Sequence, residues 1–332
     1  MIRYIKAGVR AATFSLAALA ITATTALAQD IRIGAMREGT SWYVFAATLE
    51  QMIEPMFGAN SVEVVARGGG VANPMVVQNG RAEIALSNVA TAVWAYNGNP
   101  VYEGASAPDI RALVGGLNNV YVGVMARQAF LDERGTTDLA EILASGEPVR
   151  ILIKPVGSSA VPAAEMILEG LGTNVEGIRA NGGDVIQVDT PQIPDILRNG
   201  DADIYIDTVI RNHPTITEVT LTAGMRFLDI PQAAMDVLTA NGLAAGTYGP
   251  WFEGQDDANI GANLGTVLIA NASLSDDAAY QITRTLIEHA AEMGEAHAAW
   301  RAFNPENAWR PENTGIPLHP GAERYFRERG WM

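Results

Sequence analysis

The chain holds no cysteine. Disulfides, thiolate metal sites and a cysteine nucleophile are excluded at once, and no lipid anchor on an N-terminal cysteine is expected. Basic side chains are scarce as well: 22 Lys and Arg stand against 37 Asp and Glu, a formal charge of -15. Such an excess of negative charge excludes nucleic acid and anionic membrane surfaces as partners. Beyond residue 28 no apolar stretch reaches the roughly 18 residues of a membrane span. Catalytic signatures are missing too. There is no Gly-x-Ser-x-Gly elbow. There is no P-loop, and no Gly-x-Gly-x-x-Gly in the right place. The four histidines, His213, His289, His297 and His319, lack metal-ligand spacing. His289 and His297, eight apart, are expected to face solvent from one long helix. No catalytic residue, metal or cofactor is expected.

The first 28 residues read as an export leader. Arg3, Lys6 and Arg10 precede an apolar run from Ala11 to Ala23, and Ala26-Leu27-Ala28 is a small-x-small cleavage signal. The mature chain is expected to start at Gln29 as a soluble, exported, periplasmic monomer. Without the three leader cations it carries 19 basic and 37 acidic groups, a net -18. A small anion must therefore be held by local donors against an unfavourable field.

From Ile31 onward the pattern alternates strand and helix, which predicts an α/β fold with largely parallel, helix-covered sheets. Strands are predicted at 31–34, 61–66, 84–87, 110–114 and 121–126, with helices at 42–57, 71–79 and 89–96. A second unit after Arg127 places strands at 150–153, 204–206 and 225–228. Its helices are at 160–171 and 233–241. The chain then crosses a polar, glycine-rich stretch, 249–263. A strand at 266–270, a long helix at 276–300 and a last helix at 321–329 close it. An internal repeat supports two lobes of similar build. Residues 78–88 (QNGRAEIALSN) match 198–208 (RNGDADIYIDT), each a helix end, an Asn-Gly cap, a turn and a buried strand. Each strand ends on polar residues, Ser87-Asn88 and Asp207-Thr208, where parallel sheets bind ligands. Lobe 1 is expected to comprise 29–126 and 247–332, and lobe 2 to comprise 127–246. Hinge strands are expected near Tyr121–Arg127 and within Ala245–Ala270.

Three strand-to-helix turns carry the anion-site signature of free backbone N–H groups and hydroxyls: Gly39-Thr40-Ser41, Gly68-Gly69-Gly70 and Gly157-Ser158-Ser159. Ser41 or Thr40 also suits a helix cap. Candidate ligand-binding residues are Thr40, Ser41, Trp42, Tyr43, Gly69, Gly70, Asn88, Gly157, Ser158, Ser159, Asp207, Thr208, Arg67 and Arg211. Arg37, Arg67, Lys154 and Arg211 lie beside these loops or strand ends. One of the three arginines is the expected charge partner of a second carboxylate. Asp207 would meet an amine or hydroxyl, or face away.

The motifs resemble the TAXI group of solute-binding proteins from TRAP (tripartite ATP-independent periplasmic) transporters. The likeness covers essentially the whole mature chain. It rests on Gly39-Thr40-Ser41-Trp42-Tyr43, on Gly69-Gly70 with Val71 and Asn73, on Ala95-Tyr96-Asn97-Gly98 and on Pro155-Val156-Gly157-Ser158. Near the end it rests on Ala245-Gly246-Thr247-Tyr248 and on the run from Ile316 to Tyr325. Trp42 replaces a usual tyrosine, Val44 a usual proline, Asn88 an expected glutamine and Arg67 a small polar residue. The resemblance implies a type II periplasmic-binding fold of two α/β lobes and a hinge. It also implies a small organic-acid ligand, glutamate-like or a C4–C5 dicarboxylate, delivered to a TRAP membrane permease. A periplasmic sensing module for a signalling membrane protein needs the same pocket.

Overall fold

The computed structural model describes residues 30–332, so the expected leader and its cleavage site lie outside the described residues. Twelve strands form within that range: β1 (Ile31–Gly34), β2 (Val62–Val65), β3 (Ile84–Ser87), β4 (Ile110–Val114), β5 (Tyr121–Arg127), β6 (Arg150–Ile153), β7 (Asp184–Gln187), β8 (Ile204–Val209), β9 (Met225–Leu228), β10 (Ala244–Tyr248), β11 (Asn259–Asn263) and β12 (Val267–Asn271). They pair into two sheets. One has the order β2-β1-β3-β12-β4; the other runs β10-β11-β5-β8-β6-β7, with β9 also on β5. The fold is the two-lobed α/β periplasmic-binding architecture.

The two sheets share one plan. In the first, β1 pairs in parallel with β2 and β3, and β12 joins antiparallel to β3 with β4 on its far side. In the second, β6 pairs in parallel with β7 and β8, and β5 joins antiparallel to β8 with β11 on its far side. In chain order β12 follows all the strands of the second sheet, and β5 precedes the rest of them. The expected boundaries therefore shift: β5, β10 and β11 are strands of the second sheet, and the chain crosses at 115–120 and 264–266. The crossing segments hold each other through Leu264 N–H to Val120 C=O (2.8 Å) and Leu117 N–H to Thr266 C=O (3.1 Å).

The repeat has a further element in each lobe. Arg32 on β1 grips Glu83 with its backbone N–H (2.7 Å) and guanidinium (2.6 and 3.1 Å). Arg150 on β6 grips Asp203 in the same way, at 2.9, 3.0 and 2.5 Å. Both carboxylates sit in the turn before the third parallel strand, so each clamp sets that strand's register against the first. Side chains of β8 alternate faces as a strand requires. Ile204 and Ile206 join one core cluster, whereas Tyr205 and Val209 join a second with Met125, Phe227 and Tyr248.

The long helix expected at 276–300 is broken. A helix Asp276–Glu288 ends at His289, another runs Ala290–Ala296, and a 3₁₀ turn Ala298–Ala302 follows. Neither His289 nor His297 is fully exposed. His297 meets the Phe45 ring edge-on at 4.7 Å, and its Nδ1 accepts the Ala299 N–H. The glycine-rich stretch contains β11, and β7 was not anticipated, because its half-exposed Asp-Val-Ile-Gln gives little apolar signal.

Candidate ligand site between the lobes

The carboxyl ends of β1, β2 and β3 face those of β6 and β8. The turns beyond them enclose a cavity of about 30 Å³. Met36, Thr40, Ser41, Trp42, Gly70 and Asn88 line it from the first lobe, and Lys154, Ser158, Ser159, Thr208, Ile210 and His213 from the second. Val120 enters from the crossing segment. The two lobes meet around it. Closure is visible in the backbone: the Gly157 C=O accepts the N–H groups of Val71 (3.0 Å) and Ala72 (3.3 Å) across the cleft. Trp94 Nε1 donates to Asn241 C=O (2.7 Å), and Arg37 pairs with Asp189 on the outside.

The helix Ser41–Phe57 opens with Thr40 as its cap. The Thr40 hydroxyl accepts the Tyr43 N–H (3.4 Å) and donates to Arg37 C=O (2.7 Å), so it is spent locally. Ser41 is 2% exposed and its Oγ is buried with no partner. In the second lobe Ser158 Oγ accepts the Ala160 N–H (3.2 Å) at the start of the helix Ala160–Gly170, which leaves its proton free to donate. Asn88 stands at the head of the helix Val89–Asn97, its Nδ2 donating to Gly265 C=O (2.9 Å). That bond fixes the amide and leaves its Oδ1 buried and unpartnered. The glycine run is held by Asn73, whose Oδ1 accepts the Gly69 N–H (3.1 Å) and whose Nδ2 donates to Leu86 C=O (2.7 Å). Gly69 and Gly70 permit the lobes to touch. A Cβ on Gly69 would lie 2.5 Å from the Gly157 oxygen; one on Gly70 would overlap Asn88 Oδ1 and come 2.8 Å from Ser159 Oγ.

The charge in the cavity comes from Lys154, the single lysine beyond residue 28. Its side chain is 1% exposed, and Nζ lies 3.2 Å from Asp207 Oδ2. That is ion-pair distance, but the ammonium is not aligned for a hydrogen bond and has no such partner. Asp207 is otherwise occupied: Tyr205 OH donates to it, as do the Thr208 N–H (2.6 Å) and hydroxyl (3.4 Å). His213 is buried nearby, its Nδ1 accepting the Ile216 N–H (3.4 Å), so the neutral ring carries its proton on Nε2. Burial first, and the Lys154 charge second, push its pKa down to about 3. The cavity thus offers an ammonium, free hydroxyl protons and an imidazole N–H, with one fixed acceptor and apolar walls from Met36, Trp42, Val120 and Ile210.

Residues 33–330 match the NMT1-like family. The protein belongs to the NMT1-like family. Among solved structures it is similar to MatC from Rhodopseudomonas palustris with bound malate, at 14% identity over 91% of this chain and 97% of that one, TM-score 0.55. It also aligns with the alkanesulfonate-binding protein SsuA from Xanthomonas axonopodis pv. citri bound to MOPS, at 13% identity over 90% of this chain and 83% of that one, TM-score 0.48.

In this NMT1-like protein Thr40, Ser41, Trp42, Gly70, Asn88, Ser158, Ser159 and Thr208 meet at the cavity. Gly69 and Gly157 lie behind its wall, at the contact between lobes. Asp207 sits beneath Lys154 rather than against the ligand space. Tyr43 is half-buried outside the lining, and Arg67 is exposed. Arg211 is exposed as well, its guanidinium 5.9 Å from the Trp251 ring centre. Arg37 is spent on Asp189. None of the three arginines lines the cavity; the loops that carry them turn outward after the strand ends. Met36, Val120, Ile210 and His213 were not singled out from sequence as ligand residues. Lys154 was noted without being chosen. Its signal was its place, directly after the apolar Ile151-Leu152-Ile153 strand and before Pro155.

Proposed function

We propose that this protein is an extracytoplasmic receptor that captures a small organic acid by lobe closure and hands it to a membrane permease, of the TRAP type that its motifs resemble. The observation that carries this reading is Lys154. A buried ammonium without a hydrogen-bond partner, beside unpartnered Ser41 and ringed by donors, is costly to leave empty-handed and matches a carboxylate. Family membership and the fold shared with MatC support a binding role. A second carboxylate, as in a C4–C5 dicarboxylate, would need a further cation, and the expected arginines lie outside the cavity. The reading therefore narrows to one carboxylate in the closed site.

A thermal-shift screen of the mature protein against organic acids tests this, because a ligand that binds only the folded state raises its stability by mass action. Small carboxylates should raise Tm and should compact the protein in solution scattering. Shifts only with cations or neutral sugars would refute it.

A further inference from the structure

We infer that the ligand is a small monocarboxylate bearing a hydroxyl, of glycolate or lactate size, its carboxylate on Lys154 and Ser41 and its hydroxyl donating to Asn88 Oδ1. This rests on the receptor reading above and adds the ligand's class. The argument begins from unmet hydrogen-bonding capacity. Ser41 Oγ is buried without a partner among the described residues, Lys154 Nζ is ion-paired with Asp207 yet makes no hydrogen bond, and Asn88 Oδ1 is a buried lining acceptor without a partner. Donors in excess of acceptors call for an anion; one fixed acceptor calls for one donor on that anion.

The orientation of Asn88 is set by its Nδ2 bond to Gly265 C=O at 2.9 Å. The oxygen is aimed over Gly70, where Ser159 Oγ from the other lobe also arrives. A ligand without a donor there leaves a buried oxygen unpaired. An ammonium donor, as in an amino acid, would be brought beside the Lys154 charge. The nearest carboxylate, Asp207, is already engaged by Tyr205, Thr208 and Lys154. A hydroxyl meets the acceptor without that repulsion.

Size points the same way. The closed cavity is about 30 Å³, roughly one-fifth of the ~150 Å³ that admits benzene in an engineered apolar cavity. The fewer atoms the ligand has, the less the lobes must part from the Gly157 contacts with Val71 and Ala72. Met36, Trp42, Val120 and Ile210 offer a short alkyl group an apolar wall.

The test is calorimetry on the mature protein with four probes: lactate, propionate, succinate and alanine. Lactate should bind at least about tenfold more tightly than propionate, which differs only by the hydroxyl, since a site built around a hydroxyl rejects the analogue that lacks it. Asn88→Ala should bring that ratio close to one. The wild-type comparison stands even if the variant does not fold. Equal affinity for lactate and propionate overturns the hydroxyl assignment. Tighter binding of succinate or alanine overturns the ligand class while leaving the receptor reading in place. Binding of no carboxylate at all removes both.

Discussion

Lys154 and Asp207 form a buried ion pair, Nζ to Oδ2 3.2 Å, with side-chain exposures of 1% and 0%. The two come from neighbouring parallel strands, Lys154 just past β6 and Asp207 near the end of β8. The pair couples the second lobe's stability to its binding chemistry. Removing one member strands the other charge in the interior, at a cost of about 3–5 kcal/mol. Lys154→Met and Asp207→Asn should each lower the denaturant midpoint strongly. The double variant should recover much of the loss, because neither charge is then left alone. Additive losses, read from urea unfolding, would show that the pair is not coupled.

Ser41 and Ser158 should separate binding from folding. Ser41 Oγ has no protein partner, so Ser41→Ala should leave Tm unchanged or raise it, while weakening ligand affinity about ten- to a hundredfold. Ser158 also accepts the Ala160 N–H, so Ser158→Ala should cost about 0.5–1.5 kcal/mol of stability as a lost hydrogen bond in addition to affinity. Thermal melts alongside calorimetry decide between these outcomes. A large Tm loss in Ser41→Ala would contradict the assignment of its free hydroxyl to the ligand.

Gly70→Ala should obstruct closure. The added methyl group overlaps Asn88 Oδ1 from its own lobe and meets Ser159 Oγ from the other. The lobes must part to admit it, at the expense of the two backbone bonds to Gly157, about 0.5–1.5 kcal/mol each. Solution scattering with saturating ligand should show the wild type compacting and the variant staying extended. Full compaction of Gly70→Ala would mean that the contact yields elsewhere.

Acid should destabilise the protein in a defined window. His213 is neutral in the fold with a pKa near 3, against an ordinary value of 6.5 when unfolded. Between those values the unfolded chain binds a proton that the fold refuses, so stability falls as pH drops from about 6.5 towards 3 and is level above. Burial lowers His297 and His319 in the same direction. The Arg32 and Arg150 clamps outweigh burial and hold Glu83 and Asp203 below their ordinary values of 4.5 and 3.8, so their contribution is full above those values and is lost as pH falls below them. His213→Gln should flatten the slope between pH 6.5 and 4 in unfolding titrations; an unchanged slope would assign it to other groups.

The exposed arginines should matter little for affinity. Arg211→Ala and Arg67→Ala should leave ligand affinity within about twofold, since neither lines the cavity. Arg37→Ala removes an exposed inter-lobe pair worth about 0.2–1 kcal/mol, an effect that added salt should diminish. A loss beyond tenfold in Arg211→Ala would place the ligand outside the cavity described.

Much of the fold was legible because strand and helix periods alternate cleanly and because the 78–88 and 198–208 repeat marks equivalent strands. The lobe boundary was less so. β5 is an apolar strand whether it closes the first sheet or the second, and only long-range pairing with β8 decides. In the site, the turns bearing Ser41, Gly70 and Ser158 stood out by their glycine and hydroxyl residues after strands, and the three line one cavity. The charge partner could not. Four cations stand near those turns in sequence, and side-chain direction at a strand end, inward for Lys154 and outward for Arg211, depends on register that the sequence does not state.

One carboxylate should be held on Lys154 inside the closed lobes. Calorimetry of a small 2-hydroxy monocarboxylate against the mature wild type and against the Lys154→Met/Asp207→Asn double variant tests it most directly. Saturable one-to-one binding to the wild type is expected, with at least a hundredfold loss in the folded double variant. Wild-type affinity in that double variant would contradict it.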